Sequence, residues 1–343
     1  MELSVVVPTL NGRDRLAACL DALATHAPEA EVIVANGPSA DGTTGMVRDR
    51  DDVDVLVEIS DRTVNVARNA GIEVATGDAV AFVDYDNRIG EGWFDAVRAG
   101  LDDAKAVTGP VTPLESSRGA GRDDDEGVGD GDRDDGSDDA GKTDDAGKTD
   151  DAGKTDDDLG PERRTIAGRD VTYFAGGNVA FRRETLRDLD GFDEYLRTGG
   201  ARDAAHRLAQ MDREVAWRDD LAVTAEPPSP TAVDGGRSAR EWGWKYRALA
   251  YRLLKNYGVR PTVIARAGSH AATDAIGAAA DVVRGESTPS RWLATGRDVL
   301  VGLASGSSDG LVARSRDRSH ARNPNGLSER ADRAVAKYDR RTE

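Results

Sequence analysis

Ala79-Val80-Ala81-Phe82-Val83-Asp84-Tyr85-Asp86-Asn87 is an apolar run that stops at two carboxylates one residue apart. Side chains alternate between faces along a strand, but where the chain turns at the strand's end Asp84 and Asp86 can converge on one divalent cation. Hard cations such as Mg²⁺ and Mn²⁺ take oxygen ligands and commonly share them with a substrate's phosphates. The stretch therefore reads either as a metal–diphosphate site or as a solvated turn, since Asp is frequent where strands stop.

The residues before it alternate between strand and helix patterns. Leu3-Ser4-Val5-Val6-Val7 is a β-branched run halted by Pro8, and Asp14 to Ala24 follows with Leu16, Cys19, Leu20 and Leu23 at helical spacing. Glu31-Val32-Ile33-Val34-Ala35 is a second buried strand, closed by the turn cluster Asn36-Gly37-Pro38-Ser39. Val53 to Ile59 alternates as a strand, and Thr63 to Ala75 forms a helix with Val66, Ala70 and Val74 on one side. Strands separated by helices predict an α/β fold, a Rossmann-like, mostly parallel sheet flanked by helices. Ligands of such sheets bind beyond the carboxyl ends of the strands. Pro8 to Asn11, Asn36 to Asp41 and Asp84 to Asp86 all fall on that rim.

In order and spacing, these residues resemble family 2 glycosyltransferases. The likeness rests on Ser4-Val5-Val6-Val7-Pro8-Thr9-Leu10-Asn11, Ser39-Ala40-Asp41-Gly42-Thr43, Ala67-Arg68-Asn69-Ala70-Gly71, Gly77-Asp78 and Asp84-Tyr85-Asp86. Ala175 to Arg183 and Gly191-Phe192-Asp193-Glu194 are similar to the family's second block. The resemblance implies a GT-A fold and transfer of a sugar from a nucleotide-diphosphate donor to an acceptor hydroxyl, with a divalent cation, Mg or Mn. It implies that Pro8, Thr9, Asn11, Asn36, Asp41, Arg68 and Asp84 bind the donor, and that Asp84 and Asp86 hold the metal. Gly176, Gly177, Asn178 and Arg202 fall on the acceptor or sugar side. Two departures stand out. Asn36 replaces the family's acid after the second strand, and the acidic pair that opens a later helix is reduced to Asp203, beside Ala201 and Arg202.

Asp203 is the expected catalytic base, taking the acceptor's proton in an inverting displacement; the other reading is an acid that only complements a helix N-terminus. The missing acids also leave open a non-catalytic sugar-nucleotide- or glycan-binding protein. A sugar-nucleotide pyrophosphorylase is disfavoured, because Pro8 to Asn11 lacks the glycine-rich, basic loop such enzymes open with.

The chain has 343 residues and a net charge of −17, of which residues 122–158 carry −12. Asp outnumbers Glu 46 to 17 and Arg outnumbers Lys 39 to 7, a bias that fits high internal salt, as in halophilic archaea. So acidic a chain is a poor partner for nucleic acid. One cysteine, Cys19, precludes an intrachain disulfide, and no apolar run approaches a membrane span, so a cytoplasmic protein is expected. Ala-Gly-Lys-Thr-Asp-Asp repeats three times from Ala140 to Asp157. Gly136 to Thr143 matches a P-loop pattern literally, but the run before it is acidic and Asp138 and Asp139 would repel phosphate. A calcium loop fails because Asp135 stands where Gly is needed.

These features divide the chain into a donor-binding half (1–114), an acidic disordered insertion (115–165), an acceptor half (166–230), a helical region (231–313) and a polar, loosely ordered tail (314–343). Arg240 to Tyr257 carries Trp242, Tyr246, Leu249, Leu253 and Tyr257 on one face, flanked by Arg and Lys. Such a helix either lies peripherally at the cytoplasmic membrane face, where a lipid-linked glycan acceptor would be met, or packs on the catalytic domain.

Overall fold

The computed structural model describes residues 1–114, 160–227, 242–284, 288–330 and 334–342. The insertion's repeats lie outside the described residues. The chain opens with β1 (Leu3–Thr9), α1 (Arg13–His26), β2 (Glu31–Asn36), α2 (Thr43–Arg48), β3 (Val55–Ile59), α3 (Val64–Val74) and β4 (Ala79–Val83). Then come β5 (Asn87–Ile89), α4 (Trp93–Asp103), β6 (Ala106–Thr108) and β7 (Val111–Pro113). After the insertion follow β8 (Arg163–Ile166), β9 (Arg169–Thr172), β10 (Asn178–Arg182), α5 (Arg183–Leu189), α6 (Gly200–Gln210), β11 (Val215–Trp217) and β12 (Val223–Ala225). The C-terminal part holds α7 (Trp242–Tyr257), α8 (Pro261–Val283), α9 (Pro289–Arg316) and β13 (Ala334–Asp339).

The central sheet has the order β11-β6-β10-β4-β1-β2-β3-β13. Four of its seven pairings are parallel, and β10 enters antiparallel between β4 and β6. The pleat divides β1 between two cores. Val6 joins Ile33, Phe82, Phe181 and the α3 residues Val66 and Ala70, whereas Val5 and Val7 join Leu16, Leu20 and Trp93. Pro8 sits in a central strand at no cost in ladder bonds to β4, whose pairing with β1 ends at Val6.

The face of α7 that the sequence offers to a membrane is buried. Tyr246 is 0% exposed, and Leu253, Leu254 and Tyr257 belong to the same core as β1's Val6. Of the two readings of that stripe, packing on the domain is the one the structure adopts. The described residues of the tail include a strand where a loose segment was expected. This strand, β13, pairs antiparallel with β3 and covers an edge that would otherwise present open backbone groups.

Helices α7 and α9 meet through Gly302, Gly306 and Gly310, which lie against the backbone of Gly243, Arg247 and Tyr251. Four-residue spacing keeps the three glycines on one face of α9, and the absence of Cβ lets the two backbones touch. A side chain at 306 would overlap the Arg247 carbonyl. Gly306→Leu is therefore expected to destabilise the protein by about 1–3 kcal/mol, read as a lower denaturant midpoint.

Candidate active site

The first two rim loops are tied together by their own side chains. Asn11 occupies the left-handed region (φ 53°), which Asn tolerates better than most residues. Its backbone N–H donates to Ser39 Oγ (2.9 Å), and its Oδ1 accepts from the N–H of Ala40 (2.8 Å). Asp41 accepts from the N–H of Arg13 (3.0 Å) and from Thr43 Oγ1 (2.5 Å), so its carboxylate braces the turn. Asn36 lies beneath the rim. It is fully buried, its Oδ1 accepts from Ser39 Oγ (2.7 Å), and its Nδ2 donates to Thr44 (3.0 Å), which donates to Glu58 (2.6 Å). A ribose contact through that amide is therefore replaced by a loop brace. Thr9, at the end of β1, is 5% exposed, and its Oγ1 is buried without a hydrogen-bond partner among the described residues.

The third loop carries the charge. After β4 the N–H of Asp84 donates to the Gly177 carbonyl (3.2 Å), and the N–H of Asn87 donates to the Asp84 carbonyl (2.9 Å), closing the turn that holds Asp84 and Asp86. Arg68, buried on α3, donates from Nη2 to Asp84 Oδ1 (3.1 Å), and its Cζ lies 5.4 Å from the Phe192 ring centre. Its Nε is buried without a hydrogen-bond partner among the described residues. Gly176 and Gly177 let the chain pass directly over this pair. A Cβ at 176 would sit 2.7 Å from Arg68 Nη2, and one at 177 would overlap the Asp84 carboxylate. Asp86 Oδ2 lies 3.9 Å from Arg15 Nη1, and Arg15 Nε lies 3.3 Å from Glu226, which also pairs with Arg88. Three carboxylates thus face three guanidiniums, a locally neutral rim to which a cation and a nucleotide diphosphate would together add little net charge.

That donor set suits a hard cation. Asp84 and Asp86 supply oxygens from one turn, and no cluster of three or more His, Cys, Asp or Glu completes a protein cage among the described residues. A Mg²⁺ or Mn²⁺ held there would draw its other ligands from donor phosphates and water.

The acceptor side departs from expectation at two residues. Asp203 is 0% exposed. Its Oδ2 accepts from Lys255 Nζ (2.8 Å) and Arg207 Nε (2.8 Å), and its Oδ1 accepts from Asn256 Nδ2 (2.9 Å). Burial alone would push its carboxyl up, but Lys255 and Arg207 outweigh it and hold the group down at about 2. An enclosed carboxylate with both oxygens engaged cannot meet an acceptor hydroxyl, so the base assignment is corrected: Asp203 ties α6 to α7. Asn178 is corrected likewise. It is fully buried, accepting from Trp93 Nε1 (3.2 Å) and donating to the carbonyls of Pro110 (3.2 Å) and Leu221 (2.8 Å). Arg202 stays half-buried, paired with Glu162 (2.8 Å) and lying 4.5 Å over the Tyr173 ring. His206 sits deeper, donating or accepting at Tyr257 Oη (2.8 Å), and burial beside Arg252 lowers its pKa to about 3, so it stays neutral at physiological pH.

Sequence reasoning passed over Arg15, Glu162 and Glu226. Each is an ordinary polar residue in its own segment, and only the fold brings it to the rim or to α6. The Asp203–Arg207 spacing of four residues was a visible sign of an intrahelical pair.

The model of the family "Glycosyl transferase family 2" matches residues 4–189. The Escherichia coli K12 protein "Uncharacterized glycosyltransferase YibD" is 36% identical over 92 residues, 26% of this chain and 27% of that protein. The segments matched in the curated relatives cover between 14% and 33% of their lengths. Among solved structures, Staphylococcus aureus TarS 1–349 in complex with UDP-GlcNAc superposes with a TM-score of 0.56 at 15% identity, covering 96% of this chain and 89% of that one. The mannosyltransferase PcManGT from Pyrobaculum calidifontis, in complex with GDP-Man and Mn²⁺, gives 0.50 at 18% identity, covering 90% and 87%. At these identities the two structures speak for the fold.

Proposed function

The chain belongs to glycosyl transferase family 2, and on that premise we propose that it moves a sugar from a nucleotide-diphosphate donor to an acceptor hydroxyl. The observation that carries the reading is the Asp84–Arg68 pair under Gly176-Gly177, at the carboxyl ends of β1, β2 and β4. Thr9, Asn11 and the Asn36–Asp41 loop frame the nucleotide, and Arg68 faces the diphosphate. Asp84 and Asp86 would hold Mg²⁺ or Mn²⁺, which supplies positive charge to the leaving diphosphate when bound; the Mn²⁺ and GDP-Man in PcManGT support this assignment. Attack by the acceptor oxygen from the face opposite the diphosphate breaks the anomeric C–O bond to the nucleoside diphosphate as the new one forms, inverts the anomeric centre and releases the hydroxyl proton to solvent. The acceptor is a glycan hydroxyl, with a lipid-linked or surface-polysaccharide precursor as the preferred form.

A second reading has its own observation. Asp203 is the only acid of α6, and it is enclosed, so that helix offers no carboxylate base. A sugar-nucleotide-binding protein without transfer would look the same there. A screen of UDP- and GDP-sugars, with and without Mn²⁺ in high salt, separates the readings. Transfer requires a cation-dependent thermal shift with one donor class and release of its nucleoside diphosphate. A shift without turnover across a panel of glycan acceptors favours the binding protein, and equal shifts for all nucleotides with and without cation overturn both.

A further inference from the structure

Helix α8 is amphipathic in the inverted sense. Between Thr262 and Ile276 its charged residues Arg266 and Asp274 are half-buried on the inner side, where Asp274 accepts from Lys245 Nζ (2.9 Å) and Tyr246 Oη (2.6 Å). From Thr262 to Ile276 the exposed side carries no charge: Ile264 is 58% exposed and Ile276 71%, with Ala265, Gly268, Ala272 and Ala275 between them. Two exposed hydroxyls on this helix turn back onto its own carbonyls, Ser269 to Arg266 (2.8 Å) and Thr273 to Ser269 (3.1 Å).

Helix α9 continues the surface. Its glycine side rests on α7, and opposite it Leu293, Leu300, Val301, Leu311 and Val312 are 39% to 68% exposed at helical spacing, with the exposed Arg297 among them. Trp292 Nε1 donates to the Ala275 carbonyl (3.3 Å), which brings Ile276 and Leu293 together near the far end of the α8–α9 hairpin. At the root, Arg260 and Arg314 line a cavity of about 210 Å³ with Arg169, Arg322 and His320, and its lining includes no carboxylate. Charge is biased the same way over a longer span. Residues 240–322 hold 14 Lys and Arg against 7 Asp and Glu, net +7, which leaves −24 for the rest of a chain of net −17.

We propose that the α8–α9 hairpin lies on an anionic lipid surface, the exposed apolar side chains of both helices in the acyl boundary and Arg297 and the arginines at its root among the headgroup phosphates. No helix among the described residues is long and apolar enough to cross a membrane, so the contact is interfacial. Charge complementarity selects lipid over a second copy of the chain, because an isologous dimer through this face would set two basic regions against each other. The proposal is independent of sugar transfer, since binding alone tests it.

The full-length protein is sedimented with vesicles of phosphatidylcholine, or of phosphatidylcholine with phosphatidylglycerol, at several KCl concentrations. Binding should be at least about tenfold stronger with phosphatidylglycerol and weaken as salt rises. Ile276→Asp/Leu293→Asp should lower it by about tenfold or more while leaving the melting temperature near wild type, both sites being exposed. Arg260→Glu should remove most of the preference for the anionic lipid. The idea fails if the wild type ignores vesicles, if the double variant binds as well as wild type, or if light scattering shows a dimer that the double variant dissolves.

Discussion

Asp84→Asn should lower nucleotide-sugar turnover by about 10²- to 10³-fold in kcat, the loss usual when a charge-stabilising group at a reacting centre is removed. The substitution keeps shape and removes one unit of negative charge from the turn that holds Asp86. A cation shared with the donor's diphosphate would lose a ligand, and Arg68 would lose its charged partner at 3.1 Å. Arg68 then has only an amide to face while its Nε remains buried. Because Asp84 is partly exposed and ends a strand rather than filling the core, the melting temperature should move little. Steady-state kinetics across a Mn²⁺ titration check the result. Wild-type kcat with unchanged cation dependence in the variant would remove Asp84 from the chemistry.

The second large effect is on stability. Lys255 is 0% exposed and bridges two buried carboxylates, Asp193 at 2.6 Å and Asp203 at 2.8 Å. Tyr251 also donates to Asp193 (2.8 Å), and Arg207 to the carbonyls of Leu189 (2.5 Å) and Gly191 (2.9 Å). Lys255→Met keeps the packing volume and strips the shared counter-charge, leaving two carboxylates with one fewer cation. Breaking a buried pair in this way costs about 3–5 kcal/mol, to be read from denaturant unfolding at fixed salt. The sign with pH follows from Asp203, whose carboxyl in the wild type is held below its ordinary value. Its pairing stabilises the fold above about pH 4 and is lost as pH falls toward 2. The gap between wild type and Lys255→Met should therefore be widest near neutrality and narrow in acid. A constant gap would mean that the lost contacts are apolar.

The strand–helix alternation up to Asp84 was legible because both periods are local. The strand expected at Val53 to Ile59 forms at Val55–Ile59, and the helix expected at Thr63 to Ala75 forms at Val64–Val74. The positions of Asp84 and Arg68 followed from strand order and from the family resemblance. Asp203 was misread because an acid in the first turn of a helix looks the same whether it faces solvent or a lysine 52 residues away. Asn178 reads as a polar residue at a strand start, and only the fold shows Trp93, Pro110 and Leu221 closing around it. The final strand escaped notice for a related reason. Ala334 to Asp339 is short and weakly alternating, and what orders it is the free edge of β3, some 280 positions earlier in the chain. For α7 the stripe was visible, but a greasy helix side carries no label saying whether protein or lipid will cover it.

Strands β6 and β10 lie side by side in register, Val179 against Thr108 and Phe181 against Ala106, although the tandem hexapeptides are inserted between them in the chain. The sheet is therefore sutured on both sides of the detour and does not sense its contour length. Loop-closure entropy rises only about 0.6 kcal/mol for each doubling of the residues enclosed, so one six-residue unit gained or lost among some 45 would shift it by about 0.1 kcal/mol. DNA replication slippage at such a repeat would add or remove whole units without touching the catalytic half on either bank, leaving copy number free to drift between sister lineages.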